Sequence, residues 1–445
     1  MTGNDKTFLR NTTASFIAAH GSVATFWVAL SGGLDSVVLL HLLAQIKPQP
    51  PVRVLHVNHQ LSGHASQWQA HCQALAESLG FPFIGETVSV PRSGQGLEMA
   101  AREARYAAFA HHLAPSDMLL TAHHLDDQAE TLLLRLLRGA GVRGLGAMAP
   151  VRPFNEGWLG RPLLAASRAQ LLAYARAEGL QWVEDESNQR VAFDRNFLRI
   201  KVLPQVAERW PGFAQRWAQT AALARETDGL LQEYLADDLQ AADRRPERLG
   251  ESVDLHYLAD VSLPRRNALL RHWIQVCGYL APDQALLGQT EQFLRVDDDG
   301  QPLVAWDGCE LRRFNQRLFL VPRLPRPRAY DLVWGGEALT LPDASLLDAR
   351  HAASGLRTDL DYRICLRHGG ERCQPHGRAH SQKLKKLLQE YRLEPWLRDR
   401  VPLLYAGDQL AAVGDLWVCR DFYVEGGGGW QLRWSFKRQA ASCKA

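Results

Sequence analysis

Paired cysteines are missing from this chain. Its seven cysteines are scattered over 445 residues and none sits in a CxxC pair. That argues against zinc-ribbon, iron–sulfur and disulfide frameworks, and makes a reduced cytoplasm the default setting. Long apolar runs are missing too, and the polar start MTGNDKTFLRNTTASF has no apolar core of signal-peptide length, so no membrane is expected as a partner. A large excess of one sign of charge is missing as well, with 51 Lys and Arg against 48 Asp and Glu. With a net charge of only +3, any nucleic-acid surface has to be local. There is no Walker A pattern, GxxxxGK[ST], and no internal repeat. What remains is an ordinary globular composition, 46% hydrophobic and 22% charged, on a length that suggests two or three domains.

One stretch organises the rest. Phe26, Val28 and Leu30 read as a buried strand, Ser31-Gly32-Gly33-Leu34-Asp35-Ser36 follows at once, and Val37–Leu43 continues as an apolar helix. A strand, a small-residue loop and a helix N-terminus together form an anion site. Glycines let the backbone approach a phosphate, and the first helical N–H groups have no partner within the helix. Ser31 and Ser36 add hydroxyl donors. Asp35 is the odd member, because a carboxylate beside phosphate is repulsive unless a cation bridges them. Mg²⁺ held by Asp35 and a polyphosphate is the natural reading. The bland alternative is a Gly-Gly turn followed by an Asp or Ser helix cap.

From about Thr25 to Glu184 strand and helix signals alternate. Val52–Val57, Phe81–Val88 and Met118–Ala122 read as strands; Trp68–Leu79, Leu97–Leu113 and Asp127–Leu137 read as helices. This predicts an α/β domain, a parallel doubly wound sheet with helices on both faces and its ligands at the carboxyl ends of the strands. Ser31–Ser36, His56–His59 and Thr121–Asp127 all fall there. Gly139–Gly146 predicts a flexible loop over that site, and Ser167 a cap for a helix to Glu178. Beyond Val202 the character changes, with long amphipathic helices at Phe213–Leu239 and Arg265–Gly278, then short strands. Pro322–Arg328 is a proline-rich basic linker. We therefore expect three domains: the α/β domain over 1–212, a mainly helical one over 213–322, and a small basic α+β one over 330–436. In the last, eleven Arg and Lys face six Asp and Glu between Arg357 and Arg400. Trp396 and Tyr391 lie nearby, a composition that fits RNA backbone binding.

Four stretches join the loop as carriers of chemistry. His56-Val57-Asn58-His59 closes the second strand. Glu98, Arg102 and Arg105 are spaced to share a helix face. Thr121–Thr131 opens the fourth helix, and Arg195 and Arg199 lie in RNFLR. The loop SGGLDS resembles the PP-loop of the N-type ATP pyrophosphatases, which cleave ATP between its α- and β-phosphates. In order, SGGLDS, HVNH, EMAAREARY, TAHHLDDQAET, GAGVRGLGAM, RPLL and EDESN…DRNFLR resemble the tRNA(Ile)-lysidine synthetases. KLKKLLQEYRLEPWLRDRVPLLY and LAAVGDLWV are similar to the same family, so the resemblance covers nearly the whole chain.

That resemblance implies an ATP-dependent ligase. It adenylates O2 of the wobble cytidine of a tRNA(Ile) with a CAU anticodon, then joins free L-lysine to C2, so that AUA is read instead of AUG. On this reading Ser31, Gly32, Gly33, Leu34, Asp35 and Ser36 bind ATP and Asp35 holds Mg²⁺. A carboxylate pair can bind the lysine ammonium and accept its proton; Asp127 and Glu130 are the candidates. The same Asp-x-x-Glu spacing is also a helix capping box. Arg102, Arg105, Arg195 and Arg199 suit phosphate or anticodon-loop contacts, and Lys383, Lys385 and Lys386 suit tRNA. A homodimer stays open. The rival readings are a PP-loop tRNA thiolase, which would want a cysteine pair or a sulfur carrier, and a catalytically inactive tRNA-binding protein.

Overall fold

Period-2 alternation in the first strand decides the layers. A computed structural model describes residues 3–48, 50–90, 97–184, 191–295 and 300–436. In β1 (Phe26–Ala29), Phe26 and Val28 enter one core, whereas Trp27 enters another with Leu119 and Phe109. The first core is filled by α1 (Gly3–Ala19), α2 (Leu34–Ile46) and, after the strands, α7 (Arg168–Ala177). The second lies under α4 (Leu97–His112). The sheet adds β2 (Val52–Asn58), β3 (Phe83–Thr87), β4 (Met118–Leu120), β5 (Val151–Phe154) and β6 (Gly157–Gly160) in the order β3-β2-β1-β4-β6-β5. All pairs are parallel except the β5–β6 hairpin. The chain runs from β1 outward to β3, then returns to the other side of β1 as β4. That reversal opens a crevice between the ends of β1 and β4, where a parallel sheet binds its ligand.

The helices confirm the periodicity with shifted ends. α3 spans Ala65–Ser78, and α5 (Leu125–Leu137) begins two residues before the expected start. The N-terminal helix α1 and the β5–β6 hairpin were not apparent from the sequence pattern. Asp185–Asn188 of the EDESN stretch and the Glu98 side chain lie outside the described residues.

The chain divides into two compact units at 231/232, inside the long helix that follows α6 (Val142–Leu145), α8 (Asp194–Phe197) and α9 (Leu203–Arg209); this helix is α10 (Phe213–Ala241). In the second unit, helices including Leu263–Val276 pack on a five-stranded antiparallel sheet around Leu239, Trp273, Leu311 and Leu318. Its hairpin Cys309–Phe314/Arg317–Pro322 turns at Asn315-Gln316, both at positive φ, as a tight hairpin turn requires. Two further five-stranded sheets and the helix Leu384–Glu390 enclose another core built on Trp334, Tyr362, Leu403 and Trp434. Leu249, Phe319 and Val321 belong to that same core. Among the described residues no helix is long and apolar enough to cross a membrane.

Candidate active site

The loop after β1 is held open by its own serines. Ser36 Oγ donates to the Gly33 carbonyl (3.0 Å) and accepts from the Ser31 backbone N–H (3.2 Å), while Ser31 Oγ accepts from the Gly33 N–H at 3.3 Å. The two glycines are not equivalent. Gly32 has φ +83°, and a Cβ there would meet Cys72 Sγ at 3.0 Å, so both conformation and space demand glycine. Gly33 is extended, caps α2, and has only Ser31 Oγ near its missing side chain. The fold therefore does not demand a bare residue here, and the position stays open from outside.

Asp35 sits in the first turn of α2 with its Oδ1 buried and without a partner. Burial pushes its carboxyl above the usual carboxylate range against the pull of His124, and Asp127 adds to the rise. An orphaned buried carboxylate oxygen beside a phosphate-type loop fits a bound cation. Among the described residues no three His, Cys, Asp or Glu side chains gather into a metal site. The other ligands of such a cation would come from polyphosphate and water, as is usual for Mg²⁺.

The end of β4 brings a second acidic group to the same crevice. His124, not Asp127, is the N-cap of α5: its Nδ1 accepts from the Asp127 N–H, and Asp127 Oδ2 accepts from the His124 N–H at 3.1 Å. The capping box is therefore His124–Asp127. Asp127 lies inside the helix, one turn from Glu130 and on its face, and not at the N-cap that would have turned it away. With Nδ1 an acceptor, the His124 Nε2–H faces Asp35 Oδ2 (3.7 Å) and Asp127 Oδ2 (3.5 Å).

Glu130 is fully buried. Arg195 Nε donates to its Oε2 (2.8 Å), Arg199 Nε to its Oε1 (2.6 Å), and Arg199 Nη2 also reaches Asp127 Oδ1 (3.0 Å). Arg199 is carried by a π-helical turn, Leu198–Val202, between α8 and α9, an irregularity that recurs at functional sites. Burial alone would raise the Asp127 carboxyl, but His124, Arg195 and Arg199 outweigh it and hold it below the usual range. Thus Asp35, Asp127, Glu130, Arg195 and Arg199 form one cluster. The two arginines engage the carboxylates rather than facing outward.

Other candidates lie around or away from this cluster. Arg102 and Arg105 are exposed on α4. Arg105 Nε donates to His59 Nε2 at 3.0 Å, and burial with Arg105 and His56 pushes His59 down to about 4. His56 donates from Nδ1 to the Leu30 carbonyl at the base of the loop (2.8 Å). The segment Gly139–Gly146, expected as a flexible loop, contains the helical turn α6 and is tied down. Arg135 donates to the Gly144 and Ala147 carbonyls, and Gln128 and Met148 exchange two bonds. Lys385 and Lys386 are exposed on the face of their helix opposite Leu384, Leu387 and Leu388, and Lys383, just before the helix, is exposed as well. Trp396 is partly buried and packs on Phe314 and Phe319 under Arg312. Arg400 is buried and donates to the Pro325 carbonyl. Arg161, just past the end of β6, is buried at the same crevice side of the sheet as Thr121. Its only signal in the sequence was RPLL after a glycine-bounded strand.

A parallel sheet whose crevice pairs a phosphate-type loop with an acid–arginine cluster defines an ATP-binding PP-loop enzyme. Residues 6–206 match the PP-loop domain family model, residues 254–319 the TilS substrate binding domain and residues 362–434 the TilS substrate C-terminal domain. The chain is 44% identical over 420 residues to the tRNA(Ile)-lysidine synthase of Pseudomonas aeruginosa (strain PAO1), covering 92% of each chain. It is 41% identical over 419 residues to that of Serratia proteamaculans (strain 568), covering 92% of this chain and 95% of the relative. It is 38% identical over 429 residues to that of Coxiella burnetii (strain RSA 493), covering 94% of each. The chain belongs to the tRNA(Ile)-lysidine synthase family.

Proposed function

We propose that this chain ligates free L-lysine to the wobble cytidine of tRNA(Ile) with a CAU anticodon. The cytosine O2 attacks the α-phosphorus of ATP and pyrophosphate leaves. The lysine ε-amine then attacks C2, and AMP departs with that oxygen. The ammonium must first lose a proton to become a nucleophile. The observation that carries the reading is the convergence, at one crevice, of the loop Ser31–Ser36, the orphaned Asp35 oxygen and the Asp127–Glu130–Arg195–Arg199 cluster.

The loop amides and the exposed Ser31 hydroxyl bind the ATP phosphates, while Ser36, donating to the Gly33 carbonyl, holds the loop in shape. Asp35 would hold Mg²⁺, which when bound neutralises charge on the pyrophosphate. Glu130, saturated by two guanidiniums, anchors Arg195 and Arg199. Asp127 keeps a partly open carboxylate, held ionised by its neighbours, and is the member suited to receive the lysine ammonium as a counter-charge. Arg102 and Arg105 on α4 and Lys383, Lys385 and Lys386 at the C-terminal helix are exposed cations suited to tRNA phosphates. A thiolase is disfavoured at Cys72. That thiol is fully buried beneath Gly32 and pushed up to about 12 by burial, the opposite of an activated thiolate.

Isotope exchange tests the order of steps. Labelled pyrophosphate should exchange into ATP only with a tRNA carrying a wobble cytidine, and without any need for lysine. Exchange supported by lysine and ATP without tRNA would mean that the amino acid's carboxylate is activated instead, and the reading would fall.

A further inference from the structure

Four arginines beside the crevice, Arg102, Arg135, Arg152 and Arg161, have no carboxylate partner among the described residues. Three have other holds. Arg102 stacks over Tyr106 (4.8 Å) and Arg152 over Phe154 (5.6 Å), two rings that meet edge to face, and Arg135 bonds to loop carbonyls. Arg161 differs. It is only 6% exposed, its Nη1 donates to the Ala149 carbonyl, and its Nε is buried with no partner. A buried guanidinium satisfied by one neutral carbonyl is costly unless a ligand completes it. Burial pushes it down to about 10, and Arg152, Arg102 and Arg135 push the same way.

The sheet fixes where Arg161 leaves it. Leu120 of β4 is in register with Gly160 of β6, and the Thr121 N–H donates to the Gly160 carbonyl at 3.0 Å. Arg161 therefore leaves the sheet alongside Thr121 to His123, while Asp127 follows His123 one turn into α5. His123, bonded through Nδ1 to Thr121 Oγ1 (2.9 Å), stands in sequence between the cationic and the acidic side of the crevice.

We propose that Arg161 binds the α-carboxylate of the free lysine substrate, placing the amino acid with its ε-amine toward Asp127. This rests on the ligase reading above. A planar fork matches a carboxylate in two-point contact. At 6% exposure Arg161 suits a small oxyanion that can leave water, whereas a phosphodiester would have to draw its strand in with it. Arg102, exposed on α4, is better suited to that strand.

The test compares L-lysine with lysinamide, which keeps both amines and lacks the carboxylate charge. Lysinamide is read as an inhibitor of lysine transfer, and tRNA-dependent pyrophosphate exchange, which needs no lysine, reports an intact site. Arg161→Gln should raise the KM for lysine roughly ten- to hundredfold, leave the lysinamide inhibition constant unchanged, and leave exchange unchanged. Parallel weakening of lysine and lysinamide with exchange intact would overturn the proposal. So would an unchanged lysine KM accompanied by weaker tRNA binding and a shallower salt dependence, which would assign Arg161 to a phosphate. If Arg161→Gln loses exchange by misfolding, Arg161→Lys is read instead. Its shorter, single-point donor should narrow the preference for lysine over lysinamide, and a preference equal to the wild type would overturn the proposal. A wild-type enzyme without tRNA-dependent exchange would strike the ligase reading itself, a separate result.

Discussion

The Asp35 carboxylate keeps one buried oxygen without a partner, and a second acid, Asp127, stands across the crevice. Its carboxyl in the folded chain lies above the ordinary 3.8 because burial outweighs the help of His124. Between the unfolded and folded values the native state binds more protons, so stability falls as pH rises through that window and stays lower at neutral pH. Asp35→Asn removes this penalty while removing the proposed Mg²⁺ ligand. The variant should abolish pyrophosphate release and yet melt about 1–3 °C higher at neutral pH. The difference should close as pH drops below the ordinary carboxylate range. A melting-temperature series from pH 3 to 8, paired with a pyrophosphate assay, checks both halves. Near-normal turnover would remove Asp35 from the mechanism.

At the level of elements, α5 and the π-helical turn Leu198–Val202 act as one device, since Glu130 of the first is gripped by two arginines from in and before the second. The two acids then separate in role. Glu130→Gln strips both guanidiniums of their buried counter-charge and should cost roughly 2–3 kcal/mol, discounted because the arginines remain about a quarter exposed. It should depress adenylation and lysine transfer together. Asp127→Asn keeps a cap-competent oxygen and should lower lysine transfer at least tenfold more than adenylation. Urea melts and the two partial reactions distinguish them; equal losses in both partial reactions for Asp127→Asn would leave that residue to capping. Much of this element pattern was legible in sequence. The strand–loop–helix at Phe26–Leu43, the strand ends and the Asp127/Glu130 spacing all follow from local periodicity and turn chemistry. What was not legible depended on distant partners. No local rule turns Arg195 and Arg199 inward or buries Arg161. The same is true of the packing of Trp396 against Phe314 and Phe319. The His124 cap, though local, uses a residue type that rarely caps helices.

Across the whole chain, the part after Leu231 cannot be shortened at an arbitrary point. The proline-rich linker after Pro322 looks like the place to cut, but Leu249, Phe319 and Val321 are buried with Trp334 and Trp434 in the C-terminal core. Arg248 bonds Asp415 and the Trp434 carbonyl and stacks on that ring at 4.9 Å. A chain ending near Pro322 would expose those apolar faces and leave Arg248 unpaired, and should aggregate or melt early. A chain ending near Leu231 follows the division between the two units and should stay folded and bind ATP. Its tRNA affinity should fall sharply, because the exposed Lys383 and Lys385, Arg372 and Arg392 go with the missing unit. Each lost phosphate contact should lower the slope of log affinity against log salt by about one. The comparison also has an internal control. Lys383→Gln/Lys385→Gln in the full chain should reduce that slope by up to about two without touching ATP binding. If the 231-residue chain and the double variant both keep the parent's affinity and salt slope, the basic C-terminal helix is a solvated face and the tRNA is held by the α/β unit alone.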